Sequence, residues 1–105
     1  MAMEVNRQDQ DGRCRIRVKG EIDLYSSPDL RAAITAAVPN SQNGVVVDLS
    51  EVEYMDSSGV ATLVEGLRAA MEKNIGYVLL SPSPSVLKVL QLSRLDTVFT
   101  IRDAE

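Results

Sequence analysis

There is no histidine in this chain and only one cysteine, Cys14. Those two absences exclude much of catalytic chemistry. Without an imidazole there is no Ser-His-Asp triad, no Cys-His pair and no histidine metal ligand. A zinc site would have to be built around a single thiolate, so no metal and no cofactor is expected. One thiol cannot form an intrachain bridge, which suits a reducing compartment. Long hydrophobic runs are missing too: nowhere do about 18 apolar residues follow one another, so no membrane insertion is expected. The N-terminal residues 1–7 carry no apolar run of signal-peptide length. The expected location is the cytoplasm.

What is present is ordinary for a soluble domain. Hydrophobic residues make up 45% of the 105 positions and charged residues 25%. That length suits one domain, residues 1–105, large enough to fold without a disulfide or metal. The net charge of −4 opposes direct binding of duplex nucleic acid.

Periodicity places the elements. Cys14, Ile16 and Val18 alternate with Arg13, Arg15, Arg17 and Lys19, the two-residue period of a half-buried strand. Met3 to Gln8 is its expected antiparallel partner, turned by Asp11-Gly12. Such a cationic row is ordinarily a solvated face, and on a peripheral strand it discourages edge-to-edge association. Cys14 reads as a small buried hydrophobe on the inner face.

Gly20 to Leu24 leads into Ser26-Ser27-Pro28-Asp29, a helix start, and Leu30, Ala33, Ile34 and Ala37 form one apolar stripe. Val45 to Leu49 lacks alternation, as expected of a central strand covered on both faces. After Asp56-Ser57-Ser58-Gly59, Val60, Leu63, Val64, Leu67 and Met71 recur at helical spacing until Asn74 and Gly76. Tyr77 to Leu80 reads as a strand, Pro82 to Leu92 as a third helix and Thr97 to Ile101 as a last strand. The predicted fold is α/β, order β-β-α-β-α-β-α-β, a mixed sheet with packed helices joined by right-handed crossovers.

The segment Asp56-Ser57-Ser58-Gly59 stands where a buried strand gives way to a long amphipathic helix. Asp and Ser are good N-caps, so a capped helix start accounts for a single one of them. Two hydroxyls and a carboxylate exceed what one cap needs. Gly59 inside the first turn costs about 1 kcal/mol relative to alanine, and its missing side chain lets another backbone come close. The carboxyl end of a parallel strand is also where open α/β sheets place their sites. These features point to an exposed docking point at a helix N-terminus. Tyr54 and Met55 read as core or flank. Glu51 and Glu53 have no visible nucleophile to serve.

The chain resembles the STAS domains, the family of sulfate-transporter and anti-sigma factor antagonist proteins. The residues that carry the resemblance are Gly20-Glu21-Ile22-Asp23, the helix start through Pro28 and Leu30, Val45 to Ser50, Tyr54 to Val60, and Pro84 with Leu90 to Leu95. They cover nearly the whole chain in the right order. The resemblance implies a stand-alone anti-sigma factor antagonist, not an enzyme. Its partner would be an anti-sigma factor with serine kinase activity, which the unmodified form binds so that sigma factor is released. Phosphorylation of Ser57 would abolish that binding and a serine phosphatase would reverse it. Asp23, Asp56, Ser57, Ser58 and Gly59 are the implied partner-binding residues. Ser58 has the alternative of a local hydroxyl contact in the first helical turn, Asp56 that of capping, and Asp23 that of a solvated turn.

Two rivals stand beside this reading. Some small members of the family are cytoplasmic accessory subunits of lipid-transporting ATPases, though these tend to depart from Asp-Ser-Ser-Gly. A small hydrolase or transferase using Ser57 or Ser58 as nucleophile is the other, opposed by the missing histidine.

Overall fold

The computed structural model describes residues 3–104. Its chain begins as a hairpin. Strand β1 (Met3–Gln10) runs antiparallel to β2 (Arg13–Ile22), with Gln10 opposite Arg13 across a two-residue turn. Both turn residues have positive φ, 55° at Asp11 and 75° at Gly12, the combination that lets a two-residue loop follow the right-handed twist of the strands. Both strands are longer than the sequence pattern indicates. β2 in particular runs on through Gly20-Glu21-Ile22, expected only as a lead-in to the first helix.

Helix α1 (Ser27–Ala37), a short 3-10 turn (Val38–Asn40), strand β3 (Val45–Met55), helix α2 (Ser57–Glu72), strand β4 (Tyr77–Leu80), helix α3 (Pro84–Leu92) and strand β5 (Thr100–Arg102) complete the order. The sheet order is β1-β2-β3-β4-β5, parallel from β2 onward. The predicted α/β order therefore holds, with two corrections at its edges. β2 is an interior strand, because β1 covers its free side, so the cationic row is not peripheral. The last strand begins at Thr100, not Thr97: the amides of Val98 and Phe99 turn back to the Leu95 carbonyl, which tucks Phe99 against Tyr77 with ring centroids 6.5 Å apart.

Parallel strands laid down in consecutive order by right-handed crossovers put every helix on one side of the sheet. The core shows it. Cys14, Ile16 and Val18 of β2 and Val47 and Leu49 of β3 form one buried cluster with Leu30 and Ile34 of α1, Leu63 of α2, and Val86 and Leu90 of α3. Burying each such aliphatic side chain contributes roughly 1.5–3 kcal/mol. Val46 and Leu80 are also buried but lie outside that cluster, on the second face. The central strand is thus covered by helices on one face only, not on both.

Helix ends follow local chemistry. α2 and α3 each close with a left-handed residue, Asn74 and Arg94 (φ 58° in both), and the following amides, Ile75 and Leu95, reach back to the carbonyls of Ala70 and Leu90. The buried face of α2 carries Gly59, Val60, Thr62, Leu63, Gly66 and Ala70. Met71, counted in the apolar stripe from sequence, is exposed. The stripe is rotated because the buried Tyr77 hydroxyl crosses under Gly66 to donate to the Leu63 carbonyl at 3.0 Å.

Candidate functional site

Two loops meet at the carboxyl edge of the sheet, one after β2 and one after β3. The Asp56 amide donates to the Ile22 carbonyl at 3.1 Å, which fastens the start of α2 to the end of β2. Asp56 is the N-cap of α2. Its backbone is extended, and Oδ1 accepts from the Ser58 amide at 2.9 Å. Capping by Asp56 is therefore what the structure shows.

Ser57 is the first residue of the helix proper and is exposed. Its hydroxyl makes no hydrogen bond among the described residues. Ser58, beside it, is half-buried; its amide serves the cap and its carbonyl accepts from the Thr62 hydroxyl at 2.9 Å. Gly59 is buried beneath them. A Cβ on it would meet Ile22 Cγ2 at 2.8 Å and Met55 Cγ closer still, so what approaches Gly59 is not another backbone, as expected, but the side chains of the chain's own strand ends. That makes Gly59 the floor of this corner, with Ser57 at its surface.

Asp23, on the neighbouring loop, organises a tight turn. Its Oδ1 accepts from the amides of Tyr25 at 3.0 Å and Ser26 at 2.9 Å. The Ser26 hydroxyl accepts from the Asp23 amide at 2.9 Å, and its one hydrogen serves either the Glu21 carbonyl at 2.9 Å or Asp23 Oδ1 at 3.1 Å. Hydrogen bonds from the Ser26 amide above all, then from the Ser26 hydroxyl and Tyr25 amide, hold the Asp23 carboxyl below the usual carboxylate range. Ser26 occupies the N-cap position of α1 but makes no capping bond, because its hydroxyl belongs to this turn.

The turn lifts two apolar side chains into solvent: Leu24 is 67% exposed and Tyr25 89%. Tyr54 at the end of β3 is half exposed as well, while Met55 is core. Sequence reading passed over Leu24 and Tyr25. The available signal was a pair of large apolar residues placed outside any strand or helix period, just after a strand end.

The corner thus combines an unengaged hydroxyl, a helix N-terminus and two exposed apolar side chains. Asp56 Oδ1 accepts from the Ser58 amide, and among the described residues no base is hydrogen-bonded to the Ser57 hydroxyl. Among the described residues no cluster of Cys, Asp or Glu converges as a metal site requires, and no helix is long and apolar enough to cross a membrane.

This is the architecture of a STAS domain, and the chain belongs to that family: the family model described as "Mlab, STAS domain" matches residues 5–102. Among curated proteins the chain is similar to the anti-sigma-B factor antagonist of Listeria monocytogenes, 29% identical over 107 residues covering 100% of this chain and 91% of the relative. Among solved structures it resembles an anti-sigma factor antagonist from Mycobacterium paratuberculosis, with a TM-score of 0.88, 29% identity and coverage of 98% and 87% of the two chains. It also resembles the Bacillus cell fate determinant SpoIIAA in its phosphorylated form, with a TM-score of 0.74, 27% identity and coverage of 99% and 93%. SpoIIAA is known in its unphosphorylated form too, where it is described as an anti-sigma factor antagonist. These relatives are regulatory binding proteins, not enzymes.

Proposed function

We propose that this protein is an anti-sigma factor antagonist whose binding is switched by phosphorylation of Ser57. The observation that carries the reading is the division of labour at the start of α2. Asp56 caps the helix, which leaves the exposed Ser57 hydroxyl without a structural task. A phosphate there adds about −1.5 to −2 charges and three acceptor oxygens, at a helix end whose amides and dipole accommodate anions. The fold keeps its cap, while any partner surface shaped around a hydroxyl must then desolvate a dianion beside Asp56. Modification breaks the complex and spares the domain.

The partner in this reading is an anti-sigma factor that is itself an ATP-dependent serine kinase. A serine phosphatase restores the binding form, and the cycle runs in the cytoplasm. Asp23 shapes the adjoining loop, whose Leu24 and Tyr25 supply apolar contact. The protein is the phosphoryl acceptor and binds no cofactor. Similarity to named antagonists over the whole chain supports the assignment, and SpoIIAA occurs in both phosphorylation states.

A second reading, carried by membership of the STAS family alone, is an accessory subunit of a lipid-transporting ATPase. The Asp-Ser-Ser-Gly corner favours the first. Adding the protein to a preformed complex of sigma factor and anti-sigma factor separates them. Release of sigma factor on gel filtration is the expected result. Failure to displace it, together with co-purification on a transporter ATPase, would reverse the assignment.

A further inference from the structure

The two edges of the sheet are built differently. β5, at one end, is three residues long, and so short a strand offers little to pair with. β1, at the other end, is eight residues long, contains no proline or lysine, and keeps an unbroken register with β2 from Met3 to Gln10. Short length, proline, lysine and bulges are the usual guards of an exposed edge. The cationic row that would guard this one stands on β2, one strand further in. Among the described residues no strand pairs with the outer side of β1.

The hairpin fixes which backbone groups face outward. Gln10 and Arg13 close a two-residue turn with positive φ at both positions, so they exchange both of their hydrogen bonds. Gln8 with Arg15 and Asn6 with Arg17, at every second position, do the same. The amides and carbonyls of Val5, Arg7 and Asp9 therefore point away from β2. Their side chains lie on the helix side of the sheet, opposite Val18, Ile16 and Cys14. Arg7 and Asp9 are both exposed and form an ion pair at 3.0 Å.

We propose that β1 pairs antiparallel with β1 of a second copy of this chain, about a two-fold axis through Gln8. In that register Arg7 stands opposite Asp9 of the second copy, and Asp9 opposite its Arg7. Outward amides and carbonyls meet at both positions, so each pair exchanges two backbone hydrogen bonds. The four side chains form a square in which every cation has two acids for neighbours. On the other side of the sheet Gln8 meets Gln8 and Asn6 meets Gln10, amide against amide. Moving the axis one residue either way sets Arg7 against Arg7 or Asp9 against Asp9, like charges directly opposed. Charge thus favours the axis through Gln8. The contact is small and exposed, so the dimer is weak and forms with rising concentration. Roughly 23 Å of strand separates Arg15, the partner of Gln8, from Ile22. The Ser57 corner of each copy therefore stays open in the dimer.

Sedimentation equilibrium of the full chain, from about 10 μM to 1 mM, tests this. The wild type is expected to show a monomer–dimer equilibrium. Arg7→Asp and Asp9→Arg each place like charges opposite one another, and each is expected to weaken the dimer about tenfold or more. One variant is more acidic than the wild type and the other less, so a loss in both is not an effect of net charge. Mixing the two variants restores opposite charges at both positions, and the mixture is expected to associate within about threefold of the wild type. A wild type that stays monomeric throughout, a dimer indifferent to either substitution, or a mixture that stays monomeric would each overturn the proposal. Amide hydrogen exchange on the wild type needs no variant. The Arg7 and Asp9 amides are expected to gain protection as concentration rises, and exchange there that does not change with concentration contradicts the pairing.

Discussion

The Asp56 amide donates to the Ile22 carbonyl at 3.1 Å, and through that bond the loop after β2 and the start of α2 form one piece. Gly59 lies directly beneath, in van der Waals reach of Ile22 and Met55. The position of Ser57 is therefore set by strand ends and a cap, not by the Ser57 side chain itself.

Gly59→Ala tests the floor of the corner. The added methyl gains about 1 kcal/mol of helix propensity but intrudes on Ile22 and Met55, and overpacking of this kind costs about 1–3 kcal/mol. Urea unfolding is expected to show a net loss of about 0–2 kcal/mol. Truncating Met55 in the same chain removes one side of the clash, so the two substitutions are expected to be non-additive.

Asp56→Ala removes the acceptor for the Ser58 amide and is expected to lower stability by about 1 kcal/mol, with Asp56→Asn close to wild type. Thermal unfolding checks both. A silent alanine variant would mean that α2 does not rely on this cap, and would undercut the claim that Ser57 is free for another task.

Asp23 gives a pH signature. Its folded pKa lies below its unfolded value, so its contribution is present above the ordinary carboxylate pKa and is lost as pH falls through the folded pKa. The amide resonances of Tyr25 and Ser26, which donate to its carboxylate, are expected to titrate together with a midpoint below the usual range for aspartate. A midpoint in that range would mean the turn is not held by these bonds.

Much of this was legible from residue order alone. Two-residue alternation in Arg13–Lys19 identified β2 and put Cys14 inside. The Asp11-Gly12 pair marked the hairpin, and Asp56-Ser57-Ser58 marked a capped helix after a strand. The misses have physical causes. Met71 matched the helical period, yet the face of α2 that packs is chosen by Gly66 and Ala70, whose small size is invisible to a hydrophobicity pattern. β5 was begun too early because Val98 and Phe99 look like a strand, while their amides are taken by the Leu95 carbonyl. The bare second face was hidden because burial of Val46 and Leu80 without a helix leaves the same apolar run as burial beneath one.

Leu24 and Tyr25 lie outside the core, so Leu24→Ala and Tyr25→Ala are each expected to change stability by less than about 0.5 kcal/mol. If they anchor the anti-sigma factor, each weakens that complex by about tenfold or more, read by calorimetric titration. Unchanged affinity in both would move the interface off this loop.

The central claim is that Ser57 is the switch. Incubation with the candidate anti-sigma factor and ATP, followed by intact-mass spectrometry with site mapping, tests it most directly. One added phosphate, located on Ser57 and accompanied by loss of the complex without loss of the fold, is the predicted result. A complex that forms while the protein stays unmodified, or a phosphate mapped elsewhere, would contradict it.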